Sequence, residues 1–86
     1  MTRYFGDPGL QIQLETDQKG FPVRFFAHGQ TQAVADIVNA WRVDQGWWRP
    51  KATHRTYFKL LTEGGVLCEI YWDDVTQTWY LEREYD

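Results

Sequence analysis

The fold of this chain is decided by the stretch Arg55-Thr-Tyr-Phe-Lys-Leu-Leu-Thr62, Glu63-Gly-Gly65, Val66-Leu-Cys-Glu-Ile-Tyr-Trp72. Its outer segments are rich in β-branched, aromatic and aliphatic residues, which favour strands. Two glycines lie between them, and Gly-Gly is a strong hairpin signal because both positions tolerate positive φ. A turn follows at 73–77, where aspartates can accept hydrogen bonds from nearby backbone N–H groups, and Thr78–Tyr85 is a third strand. The stretch therefore predicts an antiparallel meander.

Alternation along these three strands separates two faces. The first set is apolar and consists of Phe58, Leu60, Cys68, Ile70, Trp72, Trp79 and Leu81. The second set mixes tyrosines with charged and aliphatic residues and consists of Tyr57, Lys59, Leu61, Leu67, Glu69, Tyr71, Tyr80, Glu82 and Glu84. We expect the first set to face the core and the second to form an outer surface that is partly covered by something else.

The first half of the chain leaves two structures open. Residues 21–28 alternate and predict a strand, which ends in a tight turn at Gly29. Residues 31–43 contain four apolar residues at helical spacing, namely Val34, Ile37, Val38 and Trp41. The alternative is a long strand in which a bulge near Asp36 brings Val34 and Ile37 to one face. The pattern favours the helix, whereas the short turn favours a hairpin.

The predicted fold class is all-β: an antiparallel meander of about five strands, rolled into a small half-open or SH3-like barrel. An α+β fold, with a helix at 31–43 packed on the sheet, is the alternative. The 86 residues form one domain. We divide them into an N-terminal arm at 1–20, in which 9–15 are compatible with a short edge strand, and a β domain at 21–86.

Composition narrows the class of protein. Five Trp, five Tyr and five Phe suit a thin core that large side chains must fill. The single cysteine, Cys68, excludes an internal disulfide and is consistent with a reducing, cytoplasmic setting. No apolar run approaches the roughly 18 residues that span a bilayer. The sequence predicts a soluble protein without a membrane partner.

Charge is unevenly distributed along the chain. The net charge is −3, but residues 42–59 carry five basic side chains against one acid, and residues 63–86 carry seven acids against one arginine. Two interpretations are open. The two regions can attract each other within the fold, as cross-strand charge pairs do, or the basic region can steer an anionic partner.

A basic aromatic loop is the first candidate binding site. It has the sequence Trp47-Trp-Arg-Pro-Lys-Ala-Thr-His-Arg55, and its candidate residues are Trp47, Trp48, Arg49, Lys51 and Arg55. Exposed aromatics beside cations can stack on bases and contact phosphates, or they can bind a protein. The alternative is that one tryptophan closes the core while the cations remain solvated.

The tyrosines of the second face are the other candidate. Tyr57, Tyr71 and Tyr80 lie on adjacent strands and could form a stacking platform. The alternative is cross-strand aromatic packing that the N-terminal arm covers.

No motif for catalysis, metal binding or cofactor binding is present. The acids Glu69, Asp73, Asp74 and Glu82 match no known metal-binding loop. His28 and His54 have no serine or cysteine partner at motif spacing, and Cys68 belongs to the apolar set. We expect neither an enzyme nor a cofactor or metal.

Six blocks between residues 21 and 86 carry a family resemblance. They are Pro22-Val23-x-Phe25, Trp41-Arg42, Gly46-Trp47-Trp48, Tyr57–Thr62, Leu67–Tyr71 and Trp79-Tyr-Leu-Glu-Arg-x-Tyr-Asp86. Together they resemble a small, uncharacterised bacterial domain that occurs alone or at the tail of proteins similar to Y-family translesion DNA polymerases. The resemblance implies an all-β fold with 31–43 extended and an accessory role in DNA damage tolerance. It implies no catalytic residue.

These observations predict a small, non-catalytic binding or interaction module with a protein partner. Weak binding of single-stranded nucleic acid is one alternative. A structural domain that associates into a homodimer is the other.

Overall fold

A computed structural model describes residues 2–46 and 52–85. These residues form seven antiparallel strands and no helix: β1 Arg3–Tyr4, β2 Leu10–Thr16, β3 Pro22–Ala27, β4 Gln30–Gln45, β5 Thr53–Thr62, β6 Leu67–Asp73 and β7 Thr78–Tyr85. The all-β prediction is confirmed, and the alternative of a helix at 31–43 is wrong. No helix in this part of the chain is available to cross a membrane.

Strands β2 to β7 close into a six-stranded barrel. The order is β2-β3-β4-β5-β6-β7, and the ring closes because β7 pairs with β6 on one edge and with β2 on the other. The short β1 pairs with β7 beyond the end of β2, through Arg3 and Tyr4. The segment expected as an edge strand at 9–15 is β2, which has a partner on both sides. The barrel is therefore closed by the region that the sequence assigned to an arm.

The structure of strand β4 explains why the apolar residues at 31–43 have the spacing of a helix. Its first residues, 30–33, pair with β3, and the residues from Val34 to Gln45 pair with β5. The register shifts twice, between Val34 and Asp36 and between Ile37 and Asn39. Each bulge inserts a residue and resets the alternation, so Val34 and Ile37 both pack against the core. The bulge expected near Asp36 is present.

The barrel interior contains most of the predicted apolar set. The core consists of Ile12, Phe25, Ala27, Phe58, Leu60, Cys68, Ile70 and Leu81, with Phe5, Leu14, Val34, Ile37 and Trp79 packed against it. Leu60, Cys68, Ile70 and Leu81 have no exposed surface. At roughly 1.5–3 kcal/mol for each fully buried large apolar side chain, this interior supplies the main stabilisation of the fold.

A bulge at Glu82 changes the face of the last residues of β7. Ile70 pairs with Leu81, but Glu69 pairs with Arg83, so one extra residue lies on β7 between them. Beyond this point Glu84 lies opposite the buried Cys68. The expectation that Glu84 shares the outer face with Tyr80 is therefore wrong, because the bulge shifts the alternation by one residue.

Consecutive strands run in opposite directions, so the connections fall at two ends. The connections 17–21 and 74–77 lie at one end, together with the end of β4 and the start of β5, and we call it the loop end; the connections 28–29 and 63–66 lie at the other. Of the candidate loop at 47–55, residues 53–55 belong to strand β5 and lie at the loop end, whereas residues 47–51 lie outside the described residues.

Candidate interaction surface

Four aromatic rings cross the outer face of the barrel in one row. Trp41 pairs with Tyr57, Tyr57 with Tyr71, and Tyr71 with Tyr80, on β4 to β7. Successive ring centroids are 5.3, 5.0 and 5.1 Å apart, and the planes of Trp41 and Tyr57 differ by only 4°. We call this row the aromatic ladder. It contains the three predicted tyrosines and Trp41, which the sequence analysis missed because it counted Trp41 in a helical pattern.

The segment before β2 covers part of this ladder. The backbone N–H of Gly9 donates a hydrogen bond to the Tyr71 hydroxyl, with an N to O distance of 3.1 Å. Tyr71 has no exposed surface, and Tyr57 is only 8% exposed. Burial raises the pKa of both phenols above the ordinary value. Neither ring presents an open stacking face in this structure, whereas Tyr80 remains half-buried at the end of the row.

Arg55 lies over the middle of the ladder. Its guanidinium carbon is 4.5 Å from the centroid of the Tyr71 ring, and its side chain is 14% exposed. Nη2 lies 2.8 Å from Asp7, and Nε lies 3.4 Å from Asp73. Burial opposes the charge of Arg55, but the hydrogen bonds to Tyr57 and Asp7 outweigh this effect and raise its pKa above the ordinary value. Arg55 therefore joins the N-terminal segment to the sheet.

A second cluster of charges surrounds Arg42. Arg42 donates hydrogen bonds to Asp44 at 3.0 Å, to Thr56 at 2.9 Å, and to Asp74 in the turn after β6. His54 Nδ1 lies 2.8 Å from the same Asp44 carboxylate. The hydrogen bonds from Arg42 and His54 lower the pKa of Asp44 to about 2, and the bond from Arg42 also lowers that of Asp74.

The two clusters together pair the basic segment with acids of the same chain. Arg42 forms ion pairs with Asp44 and Asp74, and Arg55 forms ion pairs with Asp7 and Asp73. Two of these four acids come from the acidic second half of the sequence. Among the described residues, Arg42 and Arg55 of the basic region thus pair with acids within the fold, in agreement with the first interpretation of the charge pattern.

A cleft of about 730 Å³ lies beside these clusters at the loop end. Its described lining comes from the N-terminal segment, the start of β5 and the turn before β7, namely Asp7, Pro8, Ala52, Thr53, His54, Arg55, Asp73, Val75, Thr76 and Tyr80. Val75 is 67% exposed at the rim. Four predicted site residues, Trp47, Trp48, Arg49 and Lys51, lie outside the described residues. Of the other predicted site residues, Arg55 and Tyr80 line this cleft, whereas Tyr57 and Tyr71 are buried and are not part of its lining.

A second depression lies at the mouth of the barrel. Trp72 and Trp79 are half-buried, with ring centroids 5.4 Å apart. With Thr16, Gly20, Thr56 and Phe58 they line a space of about 340 Å³. Both tryptophans belong to the predicted core set, but they lie where the barrel ends and the interior meets solvent.

The residues considered for metal binding or catalysis have other contacts. Glu69 lies 3.4 Å from Arg83, and His28 lies 3.3 Å from Glu84. Within 2–46 and 52–85 no group of three metal-binding side chains is present. Cys68 is fully buried, and this burial raises the pKa of its thiol to about 12. A thiol of this kind is a poor nucleophile at neutral pH.

Fold and surface together define a small closed antiparallel barrel with a covered aromatic outer face and a cleft at its loop end. Residues 2–86 match the model of a family described as a domain of unknown function (DUF6504), and the chain belongs to that family. The match includes residues 2–20, which form β1 and β2. No curated protein and no solved structure matches the chain.

Proposed function

We propose that this domain is a non-catalytic protein-interaction module, an accessory of a DNA damage tolerance assembly, which contacts a protein partner through the cleft and the segment Trp47–Arg55, of which residues 52–55 line the cleft. One observation carries this proposal: Arg42 and Arg55 are already bonded to carboxylates of the same chain. Phosphate contacts supply most of the affinity of nucleic-acid binders. Arginines neutralised in this way contribute little to such affinity, which favours a protein partner.

The lining of the cleft supports the same choice. It combines an aromatic ring, Tyr80, and an exposed aliphatic side chain, Val75, with hydroxyl groups of Thr53 and Thr76. Protein interfaces likewise combine apolar and polar groups. Residues 47–49, which shortly precede this lining in the sequence, are two tryptophans and an arginine, and these residue types dominate binding energy at protein interfaces.

The class of partner comes from the sequence resemblance. The Gly46-Trp47-Trp48 block and the terminal Trp79–Asp86 block resemble a bacterial domain found at the tail of proteins similar to Y-family translesion polymerases. A domain attached to such a protein, or encoded separately, can recruit or position it. A Y-family polymerase encoded in the same genome is accordingly the first partner to test.

Isothermal titration calorimetry with that purified polymerase tests the proposal. The expected result is saturable binding that weakens at least about tenfold in the double variant Trp48→Ala, Arg49→Ala, as for the loss of interface hot spots. The matched control is Phe26→Ala, because Phe26 is a 48% exposed aromatic on β3, outside the cleft lining. The proposal is wrong if the polymerase does not bind, or if both variants bind as the wild type does.

A parallel titration with single-stranded DNA separates the two partner classes. Quenching of tryptophan fluorescence that falls steeply between about 50 and 200 mM salt is the signature of phosphate contacts. We expect no such quenching. Its appearance would favour the nucleic-acid alternative and remove the argument from neutralised arginines.

A further inference from the structure

The second half of β4 has an edge without a strand partner in the described structure. Residues Val34–Gln45 pair with β5 on one side, whereas β3 pairs with β4 only through residues 30–33. In residues 2–46 and 52–85, no strand pairs with the other edge of this part of β4. Such an edge carries a row of backbone donors and acceptors, which makes it a template for another strand.

Hydrogen bonding along β5 shows which residues of β4 face this edge. The carbonyl of His54 accepts a bond from Asp74 N at 2.9 Å, so the backbone groups of His54 point away from β4. Since Asp44 lies opposite His54, the backbone groups of Asp44 point to the open edge. Alternation assigns the same direction to Arg42 and Ala40.

One end of this edge is already closed. The backbone N–H of Ala40 donates to the side-chain oxygen of its neighbour Asn39 at 2.9 Å, and the bulge between Ile37 and Asn39 follows immediately. Bulges and local caps are the usual means by which proteins prevent strand addition. The open stretch is thus confined to residues 41–45, where the register with β5 is regular.

We propose that this stretch of β4 pairs antiparallel with the same stretch of a second copy of the chain, in a two-fold dimer centred on Val43. In this register Arg42 lies opposite Asp44 of the second copy, and the arrangement occurs twice because of the symmetry. Both residues have backbone groups that point to the edge, so they form hydrogen-bonded pairs across the interface. Arg42 already forms an ion pair with Asp44 of its own chain, so each arginine of the dimer lies between an aspartate of its own copy and one of the second copy. Opposite charges directly across a strand pair stabilise it.

The neighbouring registers are less favourable for the same reason. A dimer centred on Arg42 places two arginines opposite each other, and one centred on Asp44 places two aspartates opposite each other. A dimer centred on Trp41 requires the N–H of Ala40, which Asn39 already occupies. The charge pattern Arg42-Val43-Asp44 therefore selects both the partner, a second copy, and the register.

Sedimentation equilibrium from about 10 µM to 1 mM, the range in which small interfaces associate, measures this dimer. We expect a mass that rises with concentration toward that of a dimer. The single variants Arg42→Asp and Asp44→Arg each place like charges opposite each other twice, and they should weaken association by about tenfold or more. The double variant Arg42→Asp, Asp44→Arg restores opposite charges and should restore the dimer.

Two further measurements keep the test specific. Arg24→Asp changes the same type of charge in an exposed ion pair on β3 and should leave the association unchanged. Amide exchange of Arg42 and Asp44 in the wild type should slow as concentration rises, which reports strand pairing independently of any variant. A monomer throughout the range, or a dimer that is insensitive to the single substitutions or is not restored by the double one, would overturn the proposal.

Discussion

Replacing Gly9 by alanine tests whether the N-terminal segment is an integral part of the barrel. A Cβ at this position would lie against the carbonyl oxygen of Leu81, 3.0 Å from its carbonyl carbon and 3.2 Å from the Cα of Glu82. These atoms belong to the backbone of β7, so no side-chain rotation relieves the contact. The start of β2 would have to move outward, which also stretches the hydrogen bond from Gly9 to Tyr71.

Overpacking of this kind costs about 1–3 kcal/mol, and the backbone position of the clash places Gly9→Ala toward the upper end. For a domain of this size, a loss of about 2–3 kcal/mol lowers Tm by about 10–20 °C. It also lowers the urea midpoint by about 2–3 M, if the slope is about 1 kcal/mol per molar. Thermal and urea denaturation followed by circular dichroism measure both quantities.

Gly64→Ala is the matched control for this substitution. An added Cβ at Gly64 would meet only side-chain atoms, at 3.7 Å from Thr62 Oγ1 and 3.9 Å from Gln32 Oε1. We expect its free energy of unfolding to change by less than about 0.5 kcal/mol, as for an ordinary surface substitution. Equal stabilities of the two variants would refute the close approach of the N-terminal segment to β7.

Three further predictions concern buried groups of the barrel. Tyr71→Phe removes the hydroxyl that accepts the hydrogen bond from Gly9, so it should lower the free energy of unfolding by about 1 kcal/mol and speed amide exchange at Gly9. Tyr80→Phe removes a hydroxyl that makes only a 3.4 Å contact with Thr76, so it should change either quantity little. Cys68, with its pKa raised to about 12, should fail to react with a thiol reagent at pH 8 until urea unfolds the chain; rapid labelling of the folded protein would contradict its burial. Burial raises the pKa of Glu82, so its ionisation destabilises the folded state as pH rises through the ordinary range of a glutamate. The variant Glu82→Gln should therefore have a higher Tm than the wild type at pH 7 but not at pH 3.

Local sequence patterns were sufficient for the strands of the second half. The Gly64-Gly65 turn and the alternation of Phe58, Leu60, Cys68 and Ile70 each depend on neighbouring residues, and both are present in the structure. Residues 31–43 could not be assigned in this way, because two bulges in a strand produce nearly the same apolar spacing as a helix. Pairing with β5 decided that choice, and the residues of β5 lie far away in the sequence.

The candidate surface depends still more on distant residues. Arg55 and Asp7 are 48 positions apart, and Arg42 and Asp74 are 32 apart. No local pattern indicates which acid pairs with which arginine, and the sequence therefore left the basic region open to two interpretations. Trp41 joins the aromatic ladder for the same reason, since only the register between β4 and β5 places it beside Tyr57.

The amino-acid sequence by itself determined that this chain forms strands with one apolar face, because alternation and turn preferences act over a few residues. Tertiary structure alone decided that the ring closes through β2, that the segment at Gly9 covers Tyr71, and that the bulge at Glu82 turns Glu84 to the other face. These features arise from pairing and packing between segments that meet only when the barrel closes. The free energy that selects them is shared among strands that are distant in sequence.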